Sequence, residues 1–161
     1  MNTIMVQLRD RQWTLQALHL ACAMARNQQS DVTLVRMVPV QHMTWVGTDL
    51  ANVPMSSNEH QLVDELVATA EDYSVRLCVQ NMQYFTLAEA LVEAAASLES
   101  KTVFATLPTA TLPYWRRFQL WNLQRQLNRG NCELYTLEQS ATSVAQTPSV
   151  MIQPSKRPAR S

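Results

Sequence analysis

Five short apolar runs alternate along this chain with four stretches of helical periodicity, and that alternation leaves few folds open. The runs are Thr3–Leu8, Val32–Val40, Val75–Gln80, Val103–Ala105 and Cys132–Leu137. The first four suit strands buried on both faces, as in a parallel sheet, while Cys132–Leu137 alternates apolar with polar. Between the runs, apolar residues recur at three- and four-residue spacing: Leu15, Leu18, Cys22 and Ala25; Leu62, Leu66, Ala70 and Tyr73; Leu87, Leu91, Ala95 and Leu98. The fourth helix is predicted from Pro113, suited to a first helical position, to about Asn128, with Gly130 ending it. Right-handed crossovers between such strands predict an α/β, doubly wound (Rossmann-like) sandwich. Its five-stranded sheet is mainly parallel, with helices on both faces.

Local signals set the boundaries. The turn Arg9–Trp13 carries Asp10, placed either to cap the helix that starts near Thr14 or to meet a ligand hydroxyl. Ser56 with Glu59, and Thr86 with Glu89, have capping-box spacing, and Asn81–Phe85 reads as a connector. A long loop, Gln41–Ser57, holds His42, Trp45, Gly47 and Asp49 without a period; Trp45 either packs on the body, covers a site or meets a partner. Residues 1–138 are predicted to form one domain, and Gln139–Ser161, rich in Ser, Thr, Gln and Pro, a disordered tail.

In an open α/β sheet the ligand crevice lies where a loop joins the carboxyl end of a strand to a helix. The loop after the fourth strand, Thr106–Pro113, is therefore the one to examine. It contains two prolines and no glycine, and glycine occurs in the whole chain only at 47 and 130. A backbone phosphate cradle needs glycine for positive φ and close approach, so neither a dinucleotide fingerprint nor a Walker loop is present.

Charge and reactive residues narrow the function further. All 13 acidic residues lie at or before Glu138 together with 10 of the 13 basic ones, leaving the body at −3 and the tail at +3. A mildly acidic body does not point to nucleic acid. No stretch reaches the roughly 18 to 20 apolar residues of a membrane span, and a cytoplasmic location is expected. Cys22, Cys78 and Cys132 form no CxxC and are predicted to be buried free thiols; only Cys22 has a histidine, His19, one turn away. His19, His42 and His60 suggest no metal cluster, and Glu89 with Glu93 has no partner for acid/base work. No catalytic or metal residue is therefore assigned, and no enzyme activity is expected.

At this level the chain carries a resemblance. TIMVQLRDRQWTLQALHLACAMARNQQSDVTLVRMVPV resembles the opening of the universal stress protein family, and TLAEALVEAAASLESKTVFAT is similar to its third helix and fourth strand. The resemblance spans roughly residues 1 to 138. In that family, members that bind ATP or AMP share a loop of Gly, two residues, Gly, nine residues, Gly and then Ser or Thr. Here those positions fall on Thr106, on Thr109 and near Gln119–Leu120, so none of the glycines is present. The resemblance implies Asp10 and Val38, with Thr106 and Thr109, as the nucleotide contacts if one binds. It implies no cofactor otherwise, and a homodimer through the last strand.

The replacement loop has its own character. Tyr114, Trp115, Phe118 and Trp121 fall within about two helical turns, beside Arg116 and Arg117. Tyr114, Trp115, Arg116, Arg117 and Trp121 are the candidate contacts for a protein partner. Alternatively, the aromatics fill the space of a missing nucleotide, or the arginines hold an anion. The expected function is a non-enzymatic universal stress protein-like module that binds a protein partner without ATP. The alternative is an ATP or AMP sensor with a glycine-free loop.

Overall fold

The computed structural model describes residues 2–40, 54–108 and 113–137. In order they form β1 (Thr3–Gln7), α1 (Arg11–Gln28), β2 (Asp31–Pro39), α2 (Ser57–Asp72), β3 (Leu77–Tyr84), α3 (Leu87–Ser97), β4 (Thr102–Phe104), α4 (Pro113–Arg129) and β5 (Glu133–Tyr135). The sheet has the order β3-β2-β1-β4-β5, and every neighbouring pair is parallel. The predicted doubly wound α/β sandwich is thus observed, with the switch in strand order between β1 and β4.

Strand side chains alternate between two cores, which is why these runs read as continuously apolar. Ile4, Val6, Val32, Leu34 and Phe104 pack against Trp13, Ala17, Leu18, Ala21, Cys22 and Ala25 of α1 and Leu66 and Ala70 of α2. On the other face Met5, Val35, Val103 and Ala105 meet Leu91, Ala94 and Ala95 of α3 and Leu123 and Leu127 of α4.

The four helices close in the same way. Gln29, Ser74, Glu99 and Asn131 each adopt positive φ, between 49° and 59°. The following amide then reaches back to a carbonyl five residues earlier: Ser30 to Ala25, Val75 to Ala70, Ser100 to Ala95 and Cys132 to Leu127. These are Schellman-type closures built without glycine at the left-handed position. α4 ends at Arg129, so the predicted stop at Gly130 is observed, and the left-handed turn itself is made by Asn131.

Several boundaries differ from expectation. α1 begins at Arg11 and not near Thr14, since Asp10 is the N-cap and accepts from the Trp13 amide at 3.0 Å. β3 runs on to Tyr84, paired with β2 as far as Pro39, so Asn81–Tyr84 is strand and not connector. The Ser56–Glu59 capping box is present, whereas Thr86 makes no side-chain cap. Cys78 is exposed, because the outer part of edge strand β3 is only partly covered, while Cys22 and Cys132 are buried. The loop residues 41–53, with His42 and Trp45, and the tail 139–161 lie outside the described residues.

Ser100 joins β1 to β4 below the crevice. Its Oγ accepts from the Met5 amide at 3.2 Å and lies 2.7 Å and 2.9 Å from the carbonyls of Thr3 and Thr102, either of which takes its proton. Buried and fully engaged, this hydroxyl has no water to replace its partners. Ser100→Ala is expected to cost about 1–3 kcal/mol, read as a lower urea midpoint with an unchanged slope.

Candidate functional site

The crevice at the carboxyl ends of β1 and β4 is where a nucleotide would be held in this architecture. Gln7, at the end of β1, is 3% exposed, and its Oε1 accepts from the amide of Thr106 at 2.9 Å. A polar side chain from one strand thus consumes the second amide beyond the other, the first, that of Ala105, being bonded to the Tyr135 carbonyl. Thr106 is itself 3% exposed, with its hydroxyl 3.4 Å from the carbonyl of Leu107. The residue at the first position of the family loop therefore faces protein.

Nearby amides are engaged as well. The Leu8 amide bonds to the Val35 carbonyl, the Arg9 amide to Thr14 Oγ1 at 2.9 Å, and the Trp13 amide to Asp10. Of the two roles open to Asp10, the capping one is realised. Trp13, assigned to a turn by the sequence, is a core residue whose Nε1 donates to the Leu137 carbonyl at 3.2 Å. Val38 is half-buried on β2, opposite Gln83 of β3, and Thr109 lies outside the described residues.

Beside the β1–α1 turn lies an open cavity of about 450 Å³ lined by Arg9, Asp10, Arg11, Asn58, Glu59, Gln61, Leu62 and Glu65. Its charges are largely paired. Arg11 Nε donates to Glu65 at 2.8 Å, and Arg36 Nε donates to Glu59 at 2.9 Å from the β2 side. Glu65, read as part of a merely solvated face, instead ties α2 to the start of α1. The Arg36 guanidinium and the Ser56 amide hold the Glu59 carboxyl below its ordinary value.

Among the described residues no group of three or more His, Cys, Asp or Glu could hold a metal ion. His19 hydrogen-bonds Tyr73 Oη at 3.1 Å and is exposed, while burial pushes the Cys22 thiol up to about 11. The sequence neighbours His19 and Cys22 thus form no reactive pair.

The α4 surface is different. Tyr114, Trp115, Phe118 and Trp121 are 83%, 56%, 53% and 54% exposed. Trp115 and Phe118 stack with centroids 5.8 Å apart, Phe118 and Trp121 lie 6.1 Å apart, and Arg125 sits 5.4 Å from the Trp121 centroid. The aromatics therefore do not fill the crevice. Arg117 is exposed, but Arg116 is half-buried, and its Nε meets no acceptor among the described residues. Arg125 and Gln7 were not singled out from sequence. The four-residue spacing from Trp121 marked the first, and a polar residue inside TIMVQL marked the second.

No protein-family model matches the chain, and no curated protein matches it in sequence. Solved structures do match in three dimensions. A protein of the universal stress protein family from Burkholderia pseudomallei is 18% identical with a TM-score of 0.56, covering 84% of this chain and 95% of that one. A universal stress protein in complex with cAMP is 11% identical with a TM-score of 0.62, covering 86% and 98%. One from Archaeoglobus fulgidus in complex with dAMP is 13% identical with a TM-score of 0.51, covering 86% and 98%.

Two measurements check this geometry. Gln7→Leu, which removes the acceptor of a buried amide, should destabilise by about 1–3 kcal/mol in chemical denaturation. Because Glu59 has a depressed folded-state pKa, its contribution is full above the ordinary value of 4.5 and is lost as pH falls through the lower folded value. Glu59→Gln should therefore flatten the acid limb of the stability-against-pH curve. The described residues adopt the fold of the universal stress proteins.

Proposed function

We propose that this chain is a universal stress protein-like module that acts by binding a protein partner through the outer face of α4, without catalysis and without a resident nucleotide. The observation that carries the reading is the exposed row of Tyr114, Trp115, Phe118 and Trp121. Large aromatics clustered in water are typical of interface anchors, since a partner gains their burial at small cost in side-chain entropy. Arg117 is exposed on the same helix, and Arg116 is half-buried beside it. A cytoplasmic role in a stress response is part of this proposal, as is pairing of two copies through β5, which is an edge strand of the sheet.

A second reading, nucleotide sensing, is favoured by the neighbours solved with cAMP and dAMP. It would use Asp10, Val38, Thr106 and Thr109. Against it stands the Gln7–Thr106 bond, which takes the amide that an anion would need. ATP, AMP and cAMP at millimolar concentration should leave the melting temperature unchanged. A ligand at a hundred times its dissociation constant would add about 2.7 kcal/mol, and a clear upward shift would establish the second reading.

The partner reading is checked on the protein alone first. Trp115→Ala with Trp121→Ala should change stability by no more than about 0.5 kcal/mol. Leu123→Ala, on the buried face of the same helix, should cost about 2–5 kcal/mol. A comparable loss in both would make the aromatics packing residues and end the reading.

A further inference from the structure

The outer face of α4 changes character along its length. Tyr114, Phe118, Trp121, Arg125 and Arg129 follow one another at three- and four-residue spacing, so they lie in a single line about 22 Å long. The first three are aromatic, the last two cationic, and all five are exposed. The helix contains four arginines and no acidic residue. Among the described residues neither Arg125 nor Arg129 has an ion-pair partner. Arg125 is nonetheless held in place, its guanidinium over the Trp121 ring.

We propose that the occupant of this line is an acidic amphipathic helix from another protein, lying along α4 with apolar side chains over Tyr114, Phe118 and Trp121 and carboxylates against Arg125 and Arg129. This rests on the reading that α4 docks a protein. Charge complementarity decides the class of partner, because a carboxylate can take an arginine bidentately where the described residues offer none. The chain's own tail is a poor occupant: residues 139–161 carry Lys156, Arg157 and Arg160 and no acid. A second copy fits no better. Two parallel α4 helices would oppose arginines, two antiparallel ones would set the rings of each on the cations of the other and leave them without apolar cover, and the other exposed large apolar side chains among the described residues are Leu20 on α1, Phe85 between β3 and α3, and Tyr135 on β5. Phe85 does lie near Glu89 and Glu93, but one ring cannot cover three. A flat anionic membrane prefers an apolar strip running the whole length of a helix with cations on its flanks. Here the strip itself turns from aromatic to cationic.

The test is a selection of displayed 18-residue helices, randomised at apolar and charged positions, against the full chain. The expected winners are net negative, carry large apolar residues at helical spacing at one end and acids at the other. Their affinity should fall about tenfold or more in Trp121→Ala and in Arg125→Glu with Arg129→Glu, each variant keeping the wild-type melting temperature. Winners that need Trp121 but show no acidic bias and ignore the arginine changes would overturn the acidic partner while leaving docking at α4 intact. Winners indifferent to both sets of changes would overturn docking at α4 as well. Vesicles of phosphatidylcholine with phosphatidylserine form a separate arm: binding there, lost in Trp121→Ala, with no helix selected, would assign the face to a membrane. Self-association in sedimentation that Trp121→Ala abolishes would assign it to a second copy.

Discussion

Scarcity of glycine is the constraint from which most of this structure follows. A backbone with glycine only at 47 and 130 has almost nowhere to turn left-handed without a side-chain penalty. The fold still requires four such turns, one at the end of each helix, and it places Gln29, Ser74, Glu99 and Asn131 in them. There the penalty is offset by the back-reaching amide bonds of Ser30, Val75, Ser100 and Cys132, and by the strand that each closure launches. A phosphate loop offers no such compensation. Its amides must stay unpaired until an anion arrives, so left-handed residues in it would be strained with nothing to hold them. At the β4 exit the Thr106 amide is satisfied internally, with Gln7 reaching across the switch point to it.

That bond places the two sides of the crevice under one polar contact. Above the α1 core the same region is closed by Trp13, whose indole ties the start of α1 to the chain beyond β5. Ser100 joins the same two central strands at their amino ends. The middle of the sheet is thus pinned at both ends by side-chain bonds that depend on residues far apart in sequence.

Such long-range pairings explain what the sequence made legible and what it hid. The strands and helix faces were readable because burial on one or two sides imposes a period, and the Ser56–Glu59 box because both of its bonds are local. Thr86 and Glu89 have the same spacing yet make no cap, since the entry from β3 sets Thr86 at φ −116° and ψ 119°, well short of the ψ of 159° that Ser56 uses. The extension of β3 to Tyr84 was hidden because NMQY has no strand pattern of its own and is held by pairing with β2. Trp13 sat in an apparent turn until Asp10 proved to start the helix three residues earlier. On the candidate site, the lack of glycine after β4 is plain in the sequence, but the Gln7–Thr106 bond spans 99 residues and no local pattern announces it.

α4 divides its faces between the core and water. Its inner face must still pack, and Leu123 and Leu127 do so against the second core. With no cradle to build at its start, the first two turns hold aromatics that neither the core nor the crevice absorbs. Those rings are ordered before any partner arrives, because Trp115, Phe118 and Trp121 pack on one another and Arg125 covers the last. Preordered aromatics lose little freedom on binding, so most of their burial is available as affinity. In the proposed complex the cations that follow on the same line would add direction, since a helix laid along α4 in the reverse sense would set its acids on the rings and its apolar side chains on the arginines.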